Sequence, residues 1–383
     1  MKNIMICAVM ALAMVLAHSC RTDDEDIVDR QIETVGEGSE GTVKGFFLLN
    51  EGNMGSNKCT LDFYDAITGN YVRNIYGSAN PGVVQELGDV GNDIQVYDGK
   101  IWAVINCSHF VEVMNEETAK HITQISIPNC RYVTFKDGYA YVSSYAGPVQ
   151  IDPNARLGYV ARIDIGTLTV KDTCVVGYQP EEMVVSGDRL YVANSGGYRP
   201  MDYDRTVSVI DLNTFKVVKT IDVADNLHRM VKDNDGYIWV SSRGDYYGTP
   251  SKTFVIDPRT DEVCAELDLP NSGMAVAGDS LYVYGTQWSY ETNTNTVGYA
   301  IVNTKSRSVV THSFITDGTA GNIVRPYGIA VNPDTRDIYV TDAGDYMTPG
   351  ELYCFSNDGK LKWNVRTGDI PAHIAFTRRQ FVY

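Results

Sequence analysis

The sequence predicts an all-β chain, a seven-bladed β-propeller of four-stranded antiparallel blades. From residue 44 onward, short runs rich in Val, Ile, Tyr and Trp alternate with DG, GD and NDG turns, and no helical period is sustained. One type of apolar run followed by such a turn recurs seven times, as DIQVYDG, YVTFKDG, EMVVSGD, RMVKDNDG, GMAVAGD, GIAVNPD and HIAFTRR. In addition, SRGDYYGTP at 242–250 returns as DAGDYMTPG at 342–350, each just after a β-type run, YIWV or DIYV.

In chain order, the first element is an export signal. MKNIMICAVMALAMVLAHSC has a Lys at position 2, an apolar run from Ile4 to Ala17 and small residues ending at Cys20. The run is too short to span a membrane stably, and its pattern is that of a lipoprotein leader cleaved before an acylated Cys20. Residues 20–43 follow as a flexible acidic tether, and Asp23, Asp24, Glu25 and Asp26 stand immediately behind the lipid-bearing residue, where a surface-export signal would lie. The propeller is expected over 44–383.

Residues 177–244 show one blade most plainly: EEMVV, turn, RLYVAN, loop, TVSVIDL, turn, KVVKTIDV, before the next unit begins with LHRMV. Third strands recur seven times, from TLDFYD to ELYCFS. The N-terminal FFLLNEG reads as a second strand and the last innermost strand lies at the C-terminus, so the two ends must share one blade to hide the sheet edges. QFVY at the very end also reads as a second strand, which leaves two candidates for that place.

Turns from first to second and from third to fourth strand are short, whereas the second-to-third connections are long and lie together on the other face. The repeated Gly-Asp-Tyr stretches are equivalent connections of this kind, two blades apart. Almost every long loop carries an aromatic, namely Tyr145, Tyr198, Tyr203, Tyr246, Tyr247, Trp288, Tyr290 and Tyr346, beside amide and charged groups. The candidate ligand-binding residues are therefore Asn106, Tyr145, Asn194, Tyr198, Arg199, Arg243, Asp245, Tyr246, Gln287, Trp288, Asp345 and Tyr346 from the loops. Arg131, His228 and Tyr327 join them from the blade entrances on the same face. Flat apolar rings beside hydrogen-bonding groups suit a large amphipathic ligand.

A net charge of −16 argues against nucleic acid and anionic membrane surfaces as partners. Beyond the leader, six cysteines show no CxxC pair; Cys107 and Cys130 can meet only if both lie on one face, and burial is expected for the others. GxSxG, HExxH and phosphate-cradling Gly-rich motifs are missing and the histidines are scattered, so no enzyme and no metal centre is expected. KDNDG and NPDTRD fit Asx turns better than calcium loops, and the Arg243-Gly244-Asp245 tripeptide carries no specificity.

The stretch VSVIDLNTFKVVKTIDV with its flanking QPEEMVVSGDRLYVANS resembles the YncE-type seven-bladed propellers. FFLLNEGNMGSNKCTLDFYD at 46–65, LGDVGNDIQVYDGKIWAVIN at 87–106 and the leader resemble BtuG-type surface lipoproteins of Bacteroidetes. This resemblance implies a lipid-anchored outer-membrane protein exposed on the cell surface. Such a protein captures vitamin B12 (cobalamin and cobinamide) and hands it to a BtuB-like TonB-dependent transporter, without catalysis and with no cofactor beyond the bound corrinoid. Composition alone leaves two other readings open, a glycan-binding accessory lipoprotein and a protein-interaction propeller.

Overall fold

The computed structural model describes residues 31–83, 86–152, 154–289 and 294–383. Among the described residues there are seven antiparallel sheets, six of them four-stranded meanders and one of five strands. The blades run over 91–126, 130–175, 180–222, 227–267, 273–311 and 326–369, and the seventh combines both ends of the described chain. In that seventh blade Pro371–Thr377 is the innermost strand and pairs with Gly45–Asn50, which pairs with Thr60–Asp65 and then Asn70–Val72. This is the closure that the sequence requires, and it settles the second-strand place in favour of Gly45–Asn50. QFVY forms no strand; instead Phe381 packs against Phe47 and Phe63 at ring-centroid distances of 5.5 and 4.6 Å.

The ordered body starts upstream of position 44. Ile32–Thr34, within the stretch expected as tether, adds a fifth strand outside Asn70–Val72, and Thr42 and the Val43 amide are held by Asp334 of the sixth blade at 2.8 and 2.7 Å. A one-turn helix, Ile75–Ala79, was not expected; the Asn74 side chain caps it by accepting from the Gly77 amide. Cys20 and Tyr290 lie outside the described residues.

Each blade is apolar on both faces, so the molecule has no single core but seven, one in each cleft between neighbouring blades. Trp102 and Trp239 fill two of these clefts and are fully buried. Asp and Asn side chains set the tight turns of the short-loop face. Asp164 and Asp211 each accept from the amide three residues on at 2.8 Å, and Asp233 accepts from the amides of Asp235 and Tyr237 at 3.0 and 2.9 Å. The six described cysteines are free thiols; Cys130 is buried against the carbonyls of Ile105 and Phe110 rather than bonded to Cys107.

Candidate functional site

Most of the innermost strands carry the same irregularity, at the level of the site. In six of the seven, pairing with the second strand slips near the strand's start, at Asp93, Ser144, Met183, Met230, Gly328 and Asn50 of the respective ladders. Such a bulge inserts an unpaired residue and re-aims side chains. Aligned on the apolar residue that follows (Ile94, Val133, Met183, Met230, Met274, Ile329, Ile374), two positions precede it in every blade. The upper ring reads Asn92, Arg131, Glu181, His228, Ser272, Tyr327 and Ala372, and the lower ring Asp93, Tyr132, Glu182, Arg229, Gly273, Gly328 and His373. Members of the two rings line an upper cavity of about 860 Å³ and a small lower one of about 130 Å³.

The upper cavity opens on the long-loop face. Above the rings its wall is made by Tyr198, Arg243, Tyr246, Tyr247, Gln287, Trp288, Tyr346 and the segment from Glu51 to Met54. The two Gly-Asp-Tyr loops share one construction. Asp245 accepts from the amides of Tyr247 and Thr249, both at 2.8 Å, and Asp345 from those of Met347 and Thr348 at 2.8 and 2.9 Å. Tyr246 and Tyr346 both stand in the left-handed backbone region at φ 65°, a conformation uncommon for a bulky residue. The repeat therefore displays one tyrosine per loop into the cavity wall. Tyr346 also meets Tyr327 edge-on at 5.8 Å.

Beneath the wall lies a charge network centred on Glu181, whose side chain is buried. Its carboxylate takes Arg131 at 3.2 Å, Arg243 at 3.3 Å, the Tyr145 hydroxyl at 2.6 Å and the Ser195 hydroxyl at 3.3 Å. Burial alone would raise this carboxyl, but Arg131, Arg243 and the Tyr145 hydrogen bond outweigh it and hold it below the usual range. Next to it, His228 lies 3.0 Å from the Tyr132 hydroxyl, which also accepts from Arg229 at 3.1 Å. Burial first, then Arg243, Arg229 and Arg131, push His228 well below the usual imidazole range, so it is neutral. Glu182 in the lower ring is pushed up to about 7 by burial, against the pull of Arg229 and of the Met230 amide, which donates to it at 2.8 Å. On the far side Tyr327 donates to Glu51 at 2.8 Å.

Ten of the fifteen candidate residues line the cavity: Asn106, Arg131, Tyr198, His228, Arg243, Tyr246, Gln287, Trp288, Tyr327 and Tyr346. Five do not, for local reasons. Tyr145 is buried with its hydroxyl spent on Glu181, and Asn194 ties its own blade by donating to Thr206 and Ser208 at 3.0 Å each. Arg199 pairs with Asp202 and lies 3.7 Å over the Tyr178 ring, while Asp245 and Asp345 are the turn-makers of their loops. Asn106 touches the cavity but spends its amide on Asn129 and the Cys130 carbonyl at 2.6 and 2.8 Å.

Sequence reasoning passed over Glu51, Tyr132, Glu181, Glu182, Arg229 and Tyr284. For Tyr132, Glu181, Glu182 and Arg229 the signal was present: the dipeptides ND, RY, EE, HR and YG stand immediately before the apolar residues of five inner strands, at a fixed register. Among the described residues no group of three or more His, Cys, Asp and Glu is placed to hold a metal ion, and no helix is long and apolar enough to cross a membrane.

A family profile described as "Domain of unknown function (DUF5074)" matches residues 44–373. A search of curated proteins finds no match. Among solved structures, the fold is similar to a quinonprotein alcohol dehydrogenase-like protein from Bacteroides thetaiotaomicron, at TM-score 0.59 and 16% identity over 88% of this chain and 79% of that one. It is also similar to hydrazine synthase of Kuenenia stuttgartiensis, at TM-score 0.59 and 16% identity over 74% and 89% of the two chains. A third likeness is AztD of Citrobacter koseri, at TM-score 0.53 and 12% identity over 89% of this chain and 100% of that one. At these identities the likeness is one of fold.

Proposed function

We propose that this chain, which belongs to the DUF5074 family, is a non-enzymatic binding protein of the cell surface. In this reading it is anchored to the outer membrane through an acylated Cys20, captures cobalamin or a related corrinoid and passes it to a TonB-dependent transporter. The observation that carries the reading is the composition of the cavity on the long-loop face: about 860 Å³, walled by Tyr198, Tyr246, Tyr247, Trp288, Tyr327 and Tyr346, with arginines beneath. A corrin offers a flat macrocycle for aromatic faces and a rim of amides for Gln287, Asn53 and the loop backbone. Each buried polar group left unmet costs about 1–3 kcal/mol, so such a ligand needs many donors and acceptors at once. The volume is at the upper end for small-molecule sites, which suits a ligand of this size seated in the mouth.

Calorimetric titration with cyanocobalamin, run beside gel filtration followed at the corrin absorbance, tests the reading. One-to-one binding with co-elution is expected, and Tyr246→Ala is expected to weaken it about tenfold while leaving the melting temperature within about 2 °C. Neither heat nor co-elution would remove the corrinoid assignment. Polysaccharides would then be titrated next, because the exposed rings of Tyr247 and Trp288 equally suit the face of a sugar.

A further inference from the structure

The upper cavity contains one arginine that no carboxylate of the described residues meets directly. Arg131 and Arg243 share the Glu181 carboxylate at 3.2 and 3.3 Å. Arg229, one position further along its inner strand than His228, has no carboxylate oxygen within 4.0 Å among the described residues. Its guanidinium makes one side-chain hydrogen bond, to the Tyr132 hydroxyl at 3.1 Å, and a guanidinium has five N–H donors to place. Glu182 and Glu51 act on it only from farther away. The Glu182 carboxylate is turned to the Met230 amide and, being raised to about 7 by burial, carries only part of a charge at neutral pH.

The position of Arg229 matters as much as its lack of a partner. Arg229, Tyr284 and Tyr327 border both the upper and the lower cavity, so they form the floor of the first and the roof of the second. Tyr284 donates to the Tyr327 carbonyl and Tyr327 to Glu51, which leaves Arg229 as the group at this waist with donors to offer a ligand. A half-buried guanidinium is stabilised by an oxyanion that meets its planar fork, ideally in a two-point contact.

We propose that Arg229 is the anion-recognition residue of the cavity, binding a phosphate or carboxylate group carried by the ligand at the cavity floor. The inference deepens the capture reading, under which the group is the phosphodiester of the cobalamin nucleotide arm, but its first test does not depend on that reading. Thermal melting of the full chain in mild detergent at pH 7.5 is compared in sodium phosphate, sodium acetate and sodium chloride at equal ionic strength. Phosphate is expected to raise the wild-type midpoint by roughly 2 °C or more over chloride. Arg229→Met is expected to abolish the rise and Arg229→Lys to keep part of it. An acetate rise equal to that of phosphate means that the floor takes either oxyanion, and a rise with acetate alone assigns it to carboxylates. No rise with either anion in the wild type, or a full rise in Arg229→Met, overturns the proposal, and the wild-type arm decides even if the Met variant fails to fold.

The second arm titrates cyanocobalamin and dicyanocobinamide, which lacks the phosphodiester, against the same variants. A loss of about tenfold confined to cyanocobalamin in Arg229→Met supports the phosphodiester contact, and equal losses for both overturn it. If neither corrinoid binds while the phosphate effect stands, the capture reading fails and the anion site remains.

Discussion

The carboxyls of Glu181 and Glu182 are neighbours in sequence and opposites in behaviour, and each makes a prediction. Glu181 is the carboxylate that Arg131 and Arg243 share, in a setting shut off from solvent. Glu181→Gln leaves both arginines without a counter-charge and is expected to destabilise the fold by about 3–5 kcal/mol, read from the midpoint and slope of a denaturant titration. Glu182 is held near 7, above the value of about 4.3 for a free glutamate. An acid raised on folding costs nothing below its unfolded value. Its cost to stability grows as pH climbs from about 4 to about 7 and then stays level. Glu182→Gln keeps an acceptor for the Met230 amide and removes that cost. It is expected to stabilise the protein by about 1–3 kcal/mol at pH 8 and by almost nothing at pH 4, checked by melting curves at the two pH values. A gain that is equal at both pH values would assign the effect to packing instead.

At the scale of elements, the twin loops separate what a repeated motif builds from what it displays. Gly244 has φ 66°, and a Cβ placed there would lie 2.0 Å from the Thr249 carbonyl oxygen, so the loop closes tightly over this position. Gly344 has φ 54° with open space around it. Gly244→Ala is therefore expected to cost clearly more than Gly344→Ala, roughly 2–4 against about 1 kcal/mol, in thermal or denaturant melts. The same contrast explains how far the sequence could be read. Strands, blade count and the face bearing the long loops follow from periodicity and turn chemistry, and the structure has all three. Asp245 and Asp345 look like ligand groups because an acid beside a tyrosine in a long loop has the composition of a binding site. Their oxygens, however, face their own backbone amides. Arg229 and Tyr132 escaped notice for the converse reason. They lie near the start of strands that read as core, where the pairing register slips.

For the whole molecule the decisive feature is how the ring is joined. Thr377 pairs with Gly45 and Pro371 with Asn50, more than 300 residues apart in the chain. The link is reinforced by Tyr383, which receives a hydrogen bond from Asn70 at 3.1 Å and donates to Asp65 at 3.2 Å. A chain ending at residue 370 lacks the inner strand of the seventh blade. It is expected to lose cooperative unfolding and to aggregate rather than leave six stable blades, as light scattering alongside circular dichroism would show. Intact folding with only a small fall in melting temperature would mean that the five clefts between the six remaining blades suffice. The same joint also governs when the protein is finished. Until that inner strand arrives, GFFLLN, buried along its whole length in the closed ring, has an open edge, and no other blade pairs with it. Its partner, Pro371–Thr377, lies more than 300 residues further along the chain, so the contact that completes the ring is among the slowest the chain can make. Closure is thus read by the fold itself: a copy lacking 371–377 leaves the seam along Gly45–Asn50 open, whereas pairing with that strand conceals it.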